Sequence, residues 1–406
     1  MSAQRVVVVG AGLGGLRAAE ALRAQGYADE LVVVGDEPYA PYNRPPLSKE
    51  ALADEVAHDR LEFRRRASVD DVVWRLGETV TALDLDARTV ALGSEHLAWD
   101  ALVLATGVSA RRLPVPGPPP TAAAGRHVVR TLDDAVALRE ALRPGARVVV
   151  LGAGFIGCEV AATAVGLGSE VRSVALDPAP MVRPLGPLLA AELQRRHEAH
   201  GVEFHLGVGV AEIVGDDHVT GVVLSDGTAL EADVLVEALG STCNVDLLEG
   251  KGFDLSDGVL ADTALRPLRD GVPLDGVAVV GDIARFPHVR FSDGAHRVEH
   301  WSVPTDTGKR AGAVLSAYLA GEGYDDVVAA PFDLLPAFWS DQYDIRMQSF
   351  GMPGLADRDG IHLLEGDLAG ECIVGYRRGE DLMGVVGLGM LRELTAYRSH
   401  LGRTRP

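Results

Sequence analysis

Cysteine is scarce in this 406-residue chain: Cys158, Cys243 and Cys372 stand far apart, with no C-x-x-C and no metal-ligand spacing. That argues against a disulfide framework and a cysteine-ligated metal site, and it fits a reducing cytoplasm. Net positive charge is also missing. The formal charge is -20, which argues against the basic stripe of a nucleic-acid binder. No long apolar run is uninterrupted. VVVVGAGLGGL after Arg5 has the length of a signal-peptide core, but its glycines and the lack of a cleavage site read as strand, turn and helix. The stretch from Val148 to Ser169 carries Glu159 and a second glycine pattern, so a membrane span is not expected. The expected setting is cytoplasmic, with neither nucleic acid nor membrane as partner.

What is present is ample core: 47% hydrophobic against 24% charged residues, in a chain long enough for several domains. One repeat organises it. GAGLGGLRAAEAL (10–22) and GAGFIGCEVAATA (152–164) have the same shape, and each follows a valine-rich strand. Between them RRLPVPGPPPT (111–121), whose five prolines suit neither a central strand nor a helix interior, reads as a stiff crossing. After each glycine pattern come short alternating segments and then a buried strand: ETVTALDLD, TVALG and ALVLATG, and again GVGVAEIVG, VTGVVLSDGTAL and DVLVEALG. FWSDQYDIRMQSFG opens a last stretch of β segments, and LGMLRELTAYRSHLG has helical periodicity. The fold expected is α/β, with two Rossmann-like dinucleotide-binding domains that carry inserted β-meanders, plus a C-terminal α+β domain.

In the first pattern Gly10, Gly12 and Gly15 lie between RVVVV and LRAAEALRAQG. The first glycine permits the tight turn, the second lets a pyrophosphate approach, and the third lets helix and strand pack. The helix start offers free N–H groups to phosphate. An acid for the ribose is expected at the end of the next strand, and LVVVGDE supplies Asp36 with Glu37 beside it. Gly152, Gly154 and Gly157 repeat the geometry, but Ala175 falls where the second acid is expected, and Asp177 follows two residues later. Two intact patterns ask for two dinucleotides, most simply one bound flavin and one exchanging nicotinamide. VAVVGDIARF (277–286) places Asp282 at the carboxyl end of a buried strand, as a ligand contact or a helix N-cap.

Together these stretches resemble the FAD-dependent pyridine-nucleotide reductases of the glutathione-reductase structural class, and within them the NADH-dependent ferredoxin reductases of bacterial oxygenase systems. The resemblance rests on the glycines at 10–15, GDE at 35–37, RPPLSK at 44–49, LATG at 104–107, VRTLDDA at 129–135, GAGFIGCEVAA at 152–162, VGDIARF at 280–286 and FWSDQY at 338–343. RPPLSK and FWSDQ are specific to that reductase group. The resemblance implies an FAD-binding domain over 1–113 and 247–326, an NAD(P)H-binding domain over 114–246, and a C-terminal interface domain over 327–406. It implies FAD contacts around Gly10, Gly12, Gly14, Gly15, Asp36, Glu37, Arg44, Lys49, Val80, Thr106, Gly107, Arg130, Asp282, Trp301 and Val303. Trp339 would lie near the flavin. The nicotinamide site would run over Gly152, Gly154, Phe155, Ile156, Gly157 and Glu159, with Asp177 and Gly240. Phe155 would be either a gate over the flavin or a core aromatic. Two departures stand out: Ala175 in place of an acid, and TDTGKR after SVP (302–304). NADH is favoured over NADPH because no arginine immediately follows Ala175.

Disulfide reductases of that class carry Cys-x4-Cys beside the flavin, whereas this chain has no cysteine before Cys158. Lys49 stands in that region, and the resemblance makes Glu159 its partner, giving an ion pair as the catalytic feature. The expected activity is hydride transfer from NADH to bound FAD, then single electrons to a [2Fe–2S] ferredoxin, Rieske or plant-like, that docks transiently on a monomer or dimer and feeds an oxygenase. A local basic rim of Arg64 to Arg66, Arg285, Arg290, Lys309 and Arg310 would offset the overall acidity at docking. The alternatives are a flavin reductase acting directly on a quinone-like acceptor, and an NADH-responsive flavoprotein sensor.

Overall fold

Valine runs that do not alternate with polar residues need burial on both faces, and two of them, Arg5–Val9 and Arg147–Leu151, become central strands of parallel sheets. The computed structural model describes residues 3–54, 57–292 and 294–402, which form two compact units.

The first unit comprises the described residues up to Asn43, with Leu61–Ser109 and Cys243–Pro336. Its sheet runs Val277–Val279, Ala101–Leu104, Arg5–Val9, Glu30–Gly35 and Val73–Leu76, all parallel. The expected meander is the antiparallel sheet of Ala82–Asp84, Thr89–Leu92 and Glu95–Ala98. Helix Leu13–Ala24 lies against helix Ser302–Ala320. Gly308 and Gly312, one turn apart, allow the close approach: a Cβ at 312 would meet Ala21 Cβ at 2.4 Å, and one at 308 would meet Arg17 Cβ at 2.8 Å.

The second unit comprises Arg44–Arg60, Ala110–Thr242 and the described residues from Ala337. Its parallel sheet runs Glu203–Leu206, Glu170–Ala175, Arg147–Leu151, Val234–Glu237 and Arg126–His127. The second meander is Val210–Val214, Gly221–Leu224 and Ala229–Glu231. From Ala337 five antiparallel strands follow in the order Ala337–Gln342, Ile345–Gly351, Asp381–Leu388, Cys372–Arg378 and Ile361–Gly366. Leu185, Leu189 and Leu193 of helix Val182–Ala199 share one core with Met347, Val374, Tyr376 and Val386 of that sheet. The helix is broken at Gly186 (φ 71°) before Pro187. Tyr376 Oη donates to the Leu185 carbonyl at 2.7 Å and so satisfies an acceptor beside the break.

The proline segment runs along its own unit. Pro116 O accepts from Ile213 N–H at 3.1 Å, and a Cβ on Gly117 would sit 2.5 Å from Ile213 O. The C-terminal helix is shorter than its periodicity suggests: Leu391–Ala396, then a 3-10 turn over Tyr397–His400. Gly389 and Met390 both have positive φ, and only Leu394 of the helix is buried, so little packing supports further turns. Among the described residues no helix is long and apolar enough to cross a membrane.

Two buried histidines make stability depend on pH. Burial holds His127, 4% exposed, and His288, 2% exposed, neutral, with pKa values pushed down to about 4. In the unfolded chain both return to roughly 6.5. Between those values the unfolded state binds more protons, so stability is full above about pH 6.5 and falls as pH drops towards about 4, by up to ~3 kcal/mol for each group. Urea unfolding across this range should show the decline; a flat midpoint would contradict it.

Candidate active site

In the first unit the strand Arg5–Val9 ends on Gly10, at φ 115°, whose N–H donates to Val34 O at 2.8 Å. A Cβ there would strike Ala105 O at 2.1 Å, and one at Gly15 would strike Gly10 O at 2.0 Å. Both glycines are sterically required. Gly14 faces Val280 and Pro304, with a Cβ reaching them at 3.0 and 3.8 Å. Gly12 differs: nothing lies within 4 Å of its Cβ position, and no side chain caps the helix that starts beyond it. An uncapped helix start opening on free space is the donor set a pyrophosphate takes. Thr305 Oγ1, next to Pro304, is buried without a hydrogen-bond partner. The residues present fit a bound dinucleotide.

Asp36 is exposed at the strand end, whereas Glu37 accepts from Tyr42 Oη at 2.6 Å. Thr106 Oγ1 donates to Asn244 O at 2.6 Å, Asn244 Nδ2 returns a bond to Thr106 O at 3.0 Å, and Asn244 N–H reaches Gly107 O. Asn244 thus ties down the turn after Ala101–Leu104, a role the sequence did not reveal. Gly281, before Asp282, has φ 76°, and its N–H donates to Thr307 Oγ1 at 3.0 Å. Asp282 O accepts from Arg297 at 3.2 Å. Val303 is fully buried, with its N–H on His300 O and its carbonyl accepting from Thr307. Val80 is 9% exposed, and Trp301 Nε1 donates to Asn43 Oδ1 at 3.0 Å.

The second unit repeats the turn. Gly152 N–H donates to Val174 O at 2.8 Å, and its Cβ would strike Ala238 O at 2.2 Å; a Cβ on Gly157 would strike Gly152 O at 2.0 Å. Gly154 is open, like Gly12, and its helix is also uncapped. Because Val34 and Val174 receive the same bond, counting onward is unambiguous. Ala175 matches Gly35, Leu176 matches Asp36, and Asp177 matches Glu37. Leu176 is 74% exposed, and Asp177 pairs with Arg183 at 2.8 Å. Gly240, at φ 85°, accepts from Arg111 N–H, and Ile156 is exposed.

The densest chemistry lies around Glu159. The turn Pro45–Ser48, with two prolines at its start, delivers Ser48 and Lys49 to one side of helix Phe155–Gly166. Lys49 Nζ meets Glu159 Oε2 at 2.8 Å, and the two side chains are 10% and 5% exposed. Lys49 also donates to Pro45 O at 3.1 Å. Ser48 Oγ donates to Glu159 Oε2 at 2.5 Å, and Ser340 Oγ donates to Oε1 at 2.6 Å. Thr163 pins the Ser48 carbonyl at 2.9 Å. Three donors on one carboxylate offset much of the cost of burying it. Arg44 donates to Arg130 O at 2.6 Å, just ahead of the Thr131–Asp134 capping box. Phe155 packs edge-on against Phe338, centroids 4.8 Å apart, at the margin of the core. Side chains alternate along Ala337–Gln342, so Phe338, Ser340 and Gln342 share one face and Trp339 lies on the other.

The basic rim expected from the sequence is largely neutralised. Arg285 pairs with Asp254, Arg290 with Asp333 and Lys309 with Asp306, while Arg310 turns to the carbonyls of Thr263, Val328 and Ala330. Arg65 and Arg66 approach Glu62 and Glu20 at 3.5 and 3.7 Å, and Arg64 is exposed.

Two open glycine turns, each on its own parallel sheet, are the architecture of oxidoreductases that use two dinucleotides. Residues 4–308 match the pyridine nucleotide-disulphide oxidoreductases and residues 337–406 the reductase C-terminal domain. The chain belongs to the pyridine nucleotide-disulphide oxidoreductase family, which implies FAD and a nicotinamide dinucleotide as cofactors. It is 32% identical to rhodocoxin reductase of Rhodococcus erythropolis over 99% of this chain and 90% of that one. It is 34% identical to putidaredoxin reductase of Pseudomonas putida over 94% of this chain and 87% of that one. A solved covalent complex of putidaredoxin reductase with putidaredoxin superposes with a TM-score of 0.87 at 30% identity, covering 98% of this chain and 92% of that one.

Proposed function

We propose that this chain is a ferredoxin–NAD(+) reductase that takes electrons from NADH and delivers them singly to a [2Fe–2S] ferredoxin serving an oxygenase. The observation that carries this reading is the buried Lys49–Glu159 pair in a chain with two open dinucleotide turns and no thiol pair. Disulfide exchange needs two thiols in reach of each other. Here the three cysteines are free, Cys158 and Cys372 are buried, and burial pushes both thiols up. The names of the relatives point the same way.

When bound, FAD supplies acceptance of two electrons from the nicotinamide and their release one at a time. The chain's own residues bind and orient. In this reading Gly10, Gly12, Gly14 and Gly15 cradle the FAD pyrophosphate, Asp36 accepts from its ribose, and Val80, Thr106, Gly107, Asp282, Trp301 and Val303 of the first unit line it. Gly152, Gly154, Ile156, Gly157 and Gly240 receive the nicotinamide dinucleotide. Phe155 excludes water. Lys49 holds a fixed positive charge at the redox site, kept there by Glu159. The experiment for the whole reading is anaerobic titration with NADH followed by ferredoxin.

The donor preference follows from the second turn. With apolar Leu176 at the ribose position, Asp177 is the acid in reach, and Arg183 holds it in place. NADH is therefore the proposed donor. Asp177→Ala should raise KM for NADH roughly tenfold with kcat little changed, because one charge-assisted hydrogen bond is lost from binding alone. It should also improve use of NADPH by freeing Arg183. Steady-state kinetics with both donors checks this; an unchanged ratio of the two KM values would remove Asp177 from the site.

A further inference from the structure

The hydrogen bonds around Glu159 continue beyond the ion pair. Ser340 Oγ, which donates to Glu159, accepts from Gln342 Nε2 at 3.0 Å. Gln342 Oε1 lies 2.9 Å from His197 Nε2, and His197 Nδ1 lies 3.1 Å from Tyr343 Oη. Tyr343 stacks on His200, an exposed residue, with ring centroids 3.8 Å apart. Ser340, Gln342 and His197 are 1%, 3% and 1% exposed, so water does not supply alternative partners.

The sense of this chain is dictated from one end. A carboxylate only accepts, so Ser340 must give it the hydroxyl proton. The Ser340 lone pair then needs a donor, which fixes the Gln342 amide with nitrogen towards Ser340 and oxygen towards His197. That oxygen needs an N–H, so His197 carries its proton on Nε2. Nδ1 is left as an acceptor, and Tyr343 donates to it. Every step follows from the negative charge on Glu159. Burial pushes the His197 pKa below the ordinary histidine value, so the ring is neutral and its tautomer is free to respond.

We propose that Ser340, Gln342 and His197 form a one-way relay that ties the tautomer of His197 to the charge on Glu159, and that all three are positioning residues for the Lys49–Glu159 pair. Burial alone does not require polar residues at 340 and 342; what their hydrogen bonds add is orientation. Oε1 is held through the relay and Oε2 by Ser48 and Lys49, so the carboxylate cannot rotate and the ammonium cannot drift. Only the redox importance of the pair rests on the proposed function.

The test is nitrogen NMR of the flavin-loaded protein labelled at histidine, near neutral pH, with the His197 signals assigned by their loss in His197→Gln. The wild type should show the Nε2–H tautomer. In Glu159→Gln the new amide oxygen faces Lys49 and Ser48, and its nitrogen donates to Ser340. The Ser340 hydroxyl must then turn to Gln342, the Gln342 amide reverses, and His197 becomes the Nδ1–H tautomer. Adding Gln342→Met to Glu159→Gln should cut the link, so that the tautomer no longer follows residue 159. Should Glu159→Gln yield no folded protein, Ser340→Ala serves instead and should populate both tautomers. An Nε2–H signal that persists unchanged in Glu159→Gln, or in Ser340→Ala, would overturn the relay. These spectra involve neither nicotinamide nor ferredoxin, so a failed relay leaves the proposed function standing, and a failed electron-transfer assay leaves the relay standing.

Discussion

Replacing Lys49 by methionine should slow reduction of the flavin by NADH about ten- to a hundredfold, with FAD content unchanged. The estimate follows from loss of one charge-assisted hydrogen bond, about 1.5–3 kcal/mol, at a rate of about 1.4 kcal/mol per factor of ten. Methionine is unbranched, uncharged and close to lysine in volume, so the effect reports chiefly the charge. Lys49 is 10% exposed and Glu159 5%, so the substitution also leaves a carboxylate buried without its cation, at a cost of about 3–5 kcal/mol in stability. Adding Glu159→Gln should restore most of that stability but not the rate. Stopped-flow mixing under anaerobic conditions reads the rate, and urea unfolding reads the stability. An unchanged reduction rate in a fully loaded Lys49→Met protein would remove Lys49 from the redox site.

Glu237→Ala should destabilise the second unit by about 3–5 kcal/mol, because it strands a buried cation. Glu237 is fully buried at the end of strand Val234–Glu237, where its oxygens accept from Arg126 at 2.7 Å, Arg112 at 2.8 Å and Leu113 N–H at 2.9 Å. The Arg126 side chain is only 3% exposed, and its Nε already lacks a partner. Glu237 holds the start of the proline segment to the sheet, an anchoring role, although it is a carboxylate at the carboxyl end of a parallel strand. Glu237→Leu combined with Arg126→Met should recover much of the loss, since apolar replacement of a buried pair is often neutral. A urea midpoint for Glu237→Ala matching the wild type would contradict the anchoring role.

The features legible in the sequence are those imposed locally. Gly10 and Gly152 are required by positive φ and by carbonyls that a side chain would strike, so the turn can be read from spacing alone. The two meanders follow from alternation, and the central strands from unbroken valine. The Lys49–Glu159 pairing came from resemblance, because no pattern links residues 110 positions apart, and the structure brings them to 2.8 Å. Other features were invisible for the same reason. Ser340 and Gln342 alternate on a strand and His197 sits near the end of a helix, and only packing of that helix on that sheet joins them. The pairing within the expected basic rim is not legible locally, because Asp254 and Asp333, which pair with Arg285 and Arg290, lie 31 and 43 residues from their partners. The C-terminal helix is shorter than its periodicity suggests, because periodicity does not say that only Leu394 reaches the core. At the second ribose position the composition is plain, but the register that makes Leu176 the counterpart of Asp36 follows only from the equivalent hydrogen bonds of the two glycine turns.

The most direct test of the central claim is anaerobic titration of the FAD-loaded protein with NADH, followed by visible absorbance, with a [2Fe–2S] ferredoxin added at the endpoint. About one equivalent of NADH should bleach the flavin, and ferredoxin should then restore its colour as the iron–sulfur centre becomes reduced. A flavin that NADH bleaches but ferredoxin leaves bleached would contradict the assignment.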